Sequence, residues 1–219
     1  SMPPLSTSRT VDVGAARLER WIVGFARRHG EFGFSVEGDA LTLTAADGAT
    51  ARFEPPFPPL PQGWAVDRPV ENLVAHASAQ RVVGLLLVRL GGYAAGVFDG
   101  GELASSKVGA RQVHGRSAAG GWSQQRFARR REGQVKVALD AAVEAAVKIL
   151  LPAVGRLDGV VSGGDRTALR AVLGDPRLAV LQPLVSARVL DVPDPKARVL
   201  RDSLAAATAV RVTIAEPVG

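Results

Sequence analysis

The stretch from residue 81 to residue 113 constrains the fold more than any other part of this chain. Three strand-like runs follow one another there, at 81–90, 92–100 and 102–113, and Asp99-Gly100 is typical of a tight hairpin turn. Connections this short join antiparallel strands, since parallel strands need a long crossover. The sequence therefore predicts a three-stranded meander.

Helical and strand patterns alternate after this meander. Apolar residues at helical spacing, including Phe127, Val135, Leu139 and Val143, predict a helix over 123–151. The elements predicted after it are a strand at 157–163, a helix at 166–173, a strand near 184–189, a helix at 195–207 and a strand at 210–214. A meander followed by alternating helices and strands predicts an α/β (α+β) fold, a mixed β-sheet flanked by helices.

The N-terminal part reads as a separate small α/β unit. Residues 14–29 have the pattern of an amphipathic helix ended by Gly30, and residues 32–55 predict two or three short antiparallel strands. The proline-rich segment 55–64 is neither helix nor central strand and marks a boundary. The predicted domains are an N-terminal helix with short strands and linker, residues 1–60, and a larger domain, residues 61–219.

Composition excludes several kinds of site. The 219 residues include no cysteine and three histidines, which removes disulfides and thiol nucleophiles and argues against a metal site. No signal peptide is visible after the tag-like Ser1-Met2, and the longest apolar run, 82–88, is too short to cross a bilayer. These features favour a cytoplasmic protein without a membrane partner.

The basic charge of the chain is concentrated in one window. Between Glu102 and Glu132 there is no acidic residue, although the chain has 27 Lys+Arg and 21 Asp+Glu in total. Seven basic residues lie in this window, so that 20 basic and 21 acidic residues remain elsewhere. The seven are Lys107, Arg111, Arg116, Arg126, Arg129, Arg130 and Arg131. Such a localised excess predicts a site for a polyanion.

A glycine-rich loop, HGRSAAGG at 114–121, lies inside this window and is expected to be long and exposed. Ser123 is a plausible helix N-cap, which would place Gln124 and Gln125 in the first helical turn. Arginines close behind them are unfavourable for the helix, because its N-terminus is already positive. They are favourable if an anion docks there.

Familiar catalytic motifs fail in this loop. Gly115 and Gly120 have the spacing of a phosphate-binding loop, but the Lys and Ser/Thr that should follow are missing, and there is no dinucleotide-binding glycine pattern. Gly163-Gly164 could hold a phosphate, but a structural turn capped by Asp165 is the better interpretation. The loop has no paired carboxylates, and no cofactor or metal is predicted.

Glutamine beside glycine on a basic loop remains as the chemical signal. A neutral amide is a poor general base, so it would act by orienting a water or by stabilising an oxyanion. An ester at the 3′ end of a nucleic acid, as in peptidyl-tRNA, suits both the amide and the arginines.

The run GGWSQQRFARRRE, with the later VVSGGDRTALRAVLGDPRL, resembles the actinobacterial branch of the Vms-like release factor (VLRF) clade. This clade is related to the catalytic domain of eukaryotic and archaeal class-1 release factors, and the resemblance covers roughly residues 70–214. It implies an RNase H-like release-factor catalytic domain whose mobile loop carries a glutamine into the peptidyl transferase centre. The implied activity is a peptidyl-tRNA hydrolase in ribosome rescue or ribosome-associated quality control, acting on the ester or within the tRNA.

The resemblance also implies roles for individual residues. Gln124 would be the catalytic glutamine, with Gln125 next, and the seven basic residues of the window would contact RNA. The loop residues of the implied site are Gly115, Gly120, Gly121, Trp122 and Ser123. The implied partners are the large ribosomal subunit, peptidyl-tRNA and rRNA. Two departures from class-1 factors stand out: Trp122-Ser123 separates the glycines from the glutamine, and no segment large enough to read stop codons is evident, so rescue is expected and codon-dependent termination is not.

Two alternatives stay open at the level of sequence. The same arginines would serve a non-catalytic tRNA- or rRNA-binding module associated with the ribosome. A nuclease is a third interpretation, because RNase H-like sheets often carry acidic metal clusters, although the loop has no acids.

Overall fold

The structure is a computed structural model that describes residues 7–110 and 122–218. In chain order its strands and long helices are β1 (Thr7–Val13), α1 (Ala15–His29), β2 (Phe32–Glu37), β3 (Ala40–Ala45), β4 (Thr50–Glu54), α2 (Pro69–Ser78), β5 (Val82–Arg89), β6 (Gly92–Asp99), β7 (Glu102–Ala110), α3 (Trp122–Ile149), β8 (Gly159–Gly164), α4 (Arg166–Leu173), β9 (Val185–Leu190), α5 (Ala197–Thr208) and β10 (Val210–Glu216). Short 3₁₀ helices follow α3 and α4. None of the described helices is both long and apolar enough to cross a membrane.

The chain divides into two compact units that we describe separately. The N-terminal unit comprises Ser1–Ala79 with Ala205–Gly219, and the central unit comprises Gln80–Leu204. This division differs from the predicted boundary at residue 60. The final strand β10 pairs with both β1 and β4, and this pairing bridges about the whole length of the chain. A local sequence pattern carries no information about such a long-range pairing.

The N-terminal unit is an antiparallel sheet with the order β1-β10-β4-β3-β2, covered on one face by α1. The buried stripe of α1, Leu18, Ile22 and Phe25, shares a core with apolar residues of the sheet such as Leu41 and Phe53. The predicted helix and the three strands after it are confirmed, and Gly30 ends the helix with a φ of 94°. Strand β1 was not predicted, because its sequence TSRTVDV has few apolar residues and is mostly exposed.

The central unit contains a mixed sheet with the order β7-β6-β5-β8-β9. Strands β5, β6 and β7 form the antiparallel meander that the sequence predicts, and β8 and β9 extend it in parallel. Strand β5 is buried from Val83 to Val88, as expected for the centre of a sheet. The predicted fold class, a mixed sheet flanked by helices, is confirmed.

Helix α3 has two different halves. Its C-terminal half contributes Ala142, Ala145 and Ala146 to the core, where they pack with sheet residues such as Leu86 and Ala95. From Gln124 to Val137 no described side chain is fully buried. A helix of 28 residues is about 42 Å long, so about half of this length is held by the sheet and the other half is open to solvent.

The Gly163-Gly164 junction is a structural turn, as predicted. Gly164 has a φ of 111°, and a Cβ at this position would collide with the carbonyl oxygen of Val88. Asp165 caps α4, since its Oδ1 accepts a hydrogen bond from the backbone N–H of Ala168 at 2.8 Å. Glycine at position 164 therefore permits the close approach of β8 to β5. At the start of α4 the backbone N–H of Ala168 already has an acceptor in Asp165.

We expect Gly164→Ala to lower the free energy of unfolding by about 2–4 kcal/mol, because it adds both left-handed strain and a backbone collision. Gly155→Ala is the matched control, since a Cβ there meets nothing within 4 Å and the residue has no positive φ. Urea unfolding of both variants measures the difference. Equal midpoints for the two would contradict this account of the turn.

Candidate functional site

Part of the predicted site lies outside the described residues. This applies to Arg111, Gly115, Arg116, Gly120 and Gly121. Of Trp122 and Ser123 only the backbone is described, and it is helical. The remaining predicted residues are Lys107 on β7 and the glutamines and arginines of α3.

Helix α3 begins at Trp122, so the prediction of Ser123 as its N-cap is wrong. A serine indicates the neighbourhood of a helix start, but its side chain suits the first turn as well as the cap position. Gln124 and Gln125 do lie in the first turn, as predicted. The first N–H groups of a helix have no acceptor inside the helix. Both glutamines thus lie at the positive end of the helix.

The two glutamine side chains are exposed and point in different directions. Consecutive residues of a helix are about 100° apart, so the two amides face different sides of α3. Gln125 lies one turn from Arg129, and Gln124 lies two turns from Arg131. Neither amide forms a hydrogen bond with another described residue. Both amides are therefore free to bind a ligand or water.

The α3 arginines carry uncompensated charge. Arg126, Arg129 and Arg130 are exposed and Arg131 is partly buried. Within the described ranges, none of the four has a carboxylate within 4.0 Å. Arg126 and Arg130 are one turn apart, and like charges at this spacing destabilise a helix. The folded chain gains nothing from this arrangement, so the charges are available to an external anion.

Lys107 lies on a different element. It is opposite Ala95 in the register of β7 and β6, and directly paired residues share a face of the sheet. Because Ala95 is in the core beneath α3, Lys107 is on the helix-covered face, at the edge strand. No described hydrogen bond or ion pair joins it to the α3 arginines.

A groove of about 600 Å³ beside α3 was not predicted. Its apolar lining includes Val135, Leu139 and Val143 of α3, together with Ala171 of α4. Charged residues also line it, namely Arg131, Glu132, Lys136, Asp140 and Asp175. One wall of the groove was visible in the sequence, because the apolar stripe of α3 continues on the N-terminal side of its buried half. Its partner α4 is remote along the chain, and that pairing has no local signature.

Arg177 ties the buried half of α3 to the turn that follows α4. Its Nη1 donates to Oε1 of Glu144 on α3 at 2.7 Å, and its Nε donates to Oδ1 of Asp175 at 3.2 Å. The hydrogen bonds from Arg177 lower the pKa of Asp175 and raise the pKa of Arg177 itself. This half-exposed ion pair adds a modest contribution to the packing that holds the C-terminal half of α3.

Residues 81–213, more than half of the chain, match the model of the Actinobacteria/chloroflexi VLRF1 release factor family. The chain belongs to this family. The matched segment contains β5–β9 and all of α3, with both glutamines and the four α3 arginines, and it leaves out α1 and β1–β4. The resemblance inferred from the sequence is confirmed.

Solved structures with a similar chain path are remote in sequence. An archaeal translation termination factor, aRF1, is 14% identical with a TM-score of 0.45, over 94% of this chain and 65% of that one. An "Archaeal protein" is 13% identical with a TM-score of 0.42, over 92% and 64%. The mitochondrial localization core of Vms1 is 9% identical with a TM-score of 0.38, over 90% and 80%. The chain thus spans less than two thirds of the first two, and no curated protein matches its sequence.

We expect Arg177→Gln to lower the thermal unfolding midpoint at pH 7 and to have less effect below about pH 3. The folded-state pKa of Asp175 lies below its ordinary value of 3.8, so the stability it contributes is present above that value and is lost as the pH falls through the lowered pKa. Calorimetry from pH 7 to pH 2 measures the difference between variant and wild type.

The control for this experiment is Arg198→Gln, which removes an exposed pair with Asp202, one turn along α5, at 3.6 Å. It should change the midpoint little at any pH, because exposed pairs of this kind contribute little. An Arg177→Gln effect of the same size at pH 7 and pH 2 would show that the carboxylates are not its cause.

Proposed function

We propose that this protein is a peptidyl-tRNA hydrolase of the release-factor type that acts on the large ribosomal subunit during ribosome rescue or quality control. The observation that carries the proposal is the first turn of α3. It presents two exposed amides, directly before a group of arginines, in a chain that belongs to a release factor family. Among the described residues the amides have no hydrogen-bond partner and the arginines have no carboxylate within 4.0 Å. The substrate would be an ester attached to a polyanion.

The proposed chemistry is the attack of water on the ester carbonyl that joins the peptide to tRNA. The water oxygen forms a bond with the carbonyl carbon, and the carbonyl π electrons move to its oxygen. The resulting tetrahedral intermediate collapses, breaks the bond to the ribose oxygen and leaves a free peptide carboxylate. One proton of the water goes to the ribose oxygen, directly or through solvent, since an amide is too weak a base to hold it, and the other is released to solvent as the peptide carboxylate forms.

In this scheme a glutamine of α3 acts by position. Its side-chain oxygen accepts a hydrogen bond from the attacking water and fixes the direction of attack. The free N–H groups at the helix start lie close by and are suited to stabilise a developing oxyanion. By motif position Gln124 is the catalytic residue. Because Gln125 faces another side of the helix, the two single variants should differ sharply.

The arginines would hold the RNA. Arg126, Arg129 and Arg130 carry planar donors suited to phosphate oxygens, and no described carboxylate competes for them. Lys107 and Arg131 are less exposed and would add to the field rather than to direct contacts. Arg111 and Arg116 complete the proposed basic set.

A second candidate function is a non-catalytic module that binds tRNA or rRNA. The observation in its favour is that no group in residues 7–110 or 124–218 forms a hydrogen bond that would hold either amide in a fixed direction. The arginines alone would then account for binding. Salt-sensitive tRNA binding without peptide release, on or off ribosomes, would support it.

We expect Gln124→Ala to slow peptide release at saturating factor by about 10²–10³-fold, the range for loss of one oriented donor or acceptor at an acyl centre. Binding to ribosomes should stay unchanged. Gln125→Ala should slow release much less, and Gln134→Ala, on the same helix, is the control for general damage. Single-turnover release from stalled ribosomes measures the rates. Full activity in both Gln124→Ala and Gln125→Ala would rule out the glutamine mechanism.

We expect Arg126→Gln/Arg130→Gln to weaken tRNA binding and to reduce its salt dependence by about one in the log–log slope for each arginine that contacts phosphate. Arg166→Gln/Arg170→Gln is the matched control, because it removes two exposed arginines at the same spacing on α4. Fluorescence anisotropy with labelled tRNA at 50–200 mM salt provides the comparison. Equal losses in both variants would mean that only net charge matters.

A further inference from the structure

Helix α1 of the N-terminal unit carries a second group of arginines on its outer side. At about 100° per residue, Arg17, Arg20, Arg27 and Arg28 fall within an arc of about 100°, opposite the stripe that packs on the sheet. All four are exposed. We call this group the α1 arc.

The α1 arc is not neutralised, whereas the arginines on the strands of the same unit are. Arg9, Arg52 and Arg211 lie 3.9, 3.5 and 3.6 Å from carboxylates of Glu216, Glu37 and Asp12, respectively. The ion pairs of α1 are formed by His29, at its last position, with Asp47 and Glu216. No carboxylate of the described residues lies within 4.0 Å of any arginine of the α1 arc, so these four arginines keep their charge.

The sequence of α1 also lacks the partners that usually balance a charged helix. The residues one turn from Arg20 and Arg27 are Gly24 and Val23, which carry no charge. Glu19 is the only acid of the helix and lies outside the arc. Arg17 is in the first turn, where a cation is unfavourable, so helix stability does not account for it.

Gly24 lies in the middle of the α1 arc. A Cβ at this position would meet nothing within 4 Å, and with no side chain there the helix surface is bare between Arg20 and Arg27. These two residues are about 10 Å apart along the helix axis. The arc therefore offers two pairs of guanidinium groups on either side of a gap that an extended anionic chain can enter.

We propose that the α1 arc binds the phosphate backbone of structured RNA, as a second RNA-binding surface on the N-terminal unit. Arginine forks suit phosphate oxygens, and the uncharged gap suits a continuous backbone. The arc lies outside the family-matched segment 81–213 and is therefore a feature of this chain beyond that match. The proposal rests on the proposed function only for the identity of the RNA, tRNA or rRNA.

A membrane surface is a poorer fit for the same charges. Basic helices that lie on membranes bury an apolar face in the lipid. The apolar face of α1 is already buried, because Leu18, Ile22 and Phe25 pack in the core of the N-terminal unit. On the outer side of α1 the exposed large apolar residue is Val23, which is 50% exposed.

The test compares two double variants of the full chain that lose the same charge. Arg20→Gln/Arg27→Gln removes the centre of the α1 arc, and Arg198→Gln/Arg201→Gln removes two exposed arginines of α5. Glutamine keeps a similar helix propensity, and thermal unfolding confirms that both variants fold. Labelled tRNA and a labelled RNA duplex are titrated by anisotropy at 50–200 mM salt. The α1 variant should bind at least about fivefold more weakly, with a log–log salt slope reduced by about 2, while the α5 variant binds like wild type.

The outcomes separate this proposal from the proposed function. Peptide release by the α1 variant should need more factor but reach the wild-type rate at saturation, the reverse of Gln124→Ala. If the α1 variant loses RNA affinity and the wild type releases no peptide, the arc stands and the hydrolase proposal fails. The α1 proposal is overturned if the α1 variant binds RNA as tightly as wild type, if the α5 variant loses as much, or if only binding to vesicles with 30% anionic lipid is lost.

Discussion

The packing of alanines of α3 against the central sheet is the contact on which the proposed site depends. Ala142, Ala145 and Ala146 are fully buried and let the helix axis approach strand β6 closely. This contact fixes the direction of a helix about 42 Å long from its C-terminal half alone. The glutamines at the other end need no packing of their own, and so they remain exposed on a supported element. A site built on a held helix is positioned more firmly than one built on a loop.

Local patterns predicted those parts of the fold whose interactions are local. The meander, the stripe of α3 and the Asp165 cap that follows Gly164 each depend on neighbours close along the chain, and all three are confirmed. The pairing of β10 with β1 and β4 depends on contacts across about the whole chain. Because β10 belongs to the N-terminal unit, the division of the structure differs from the sequence-based boundary at residue 60. The start of α3 was missed by one position because serine suits more than one place at a helix start. The groove beside α3 was not predicted either. Its second wall is α4, and no local sequence pattern indicates that these two helices pack side by side.

The sum of charges along the sequence does not show which charges are paired in the folded chain. Outside the acid-free window the sequence has 20 basic and 21 acidic residues, which suggests a neutral remainder. In the structure this balance is uneven, because Arg9, Arg52 and Arg211 of the strands have carboxylate partners. The arginines of α1 have none among the described residues, and they lie on one side of the helix. A sum along the sequence discards position, and position decides whether a charge is available to a ligand.

Both basic surfaces contain arginines whose positions are unfavourable for their own helix. On α3, Arg126 and Arg130 repel each other one turn apart near the positive end of the helix; on α1, Arg17 lies in the first turn and no acid is placed one turn from its neighbours. Suitable carboxylates exist elsewhere in each unit, and Arg177 shows how tightly this fold can neutralise an arginine when it does so. The arginines of both helices are therefore unpaired because of where the sequence places them, and not because the two units lack carboxylates. A bound polyanion would supply the missing counter-charge at both places.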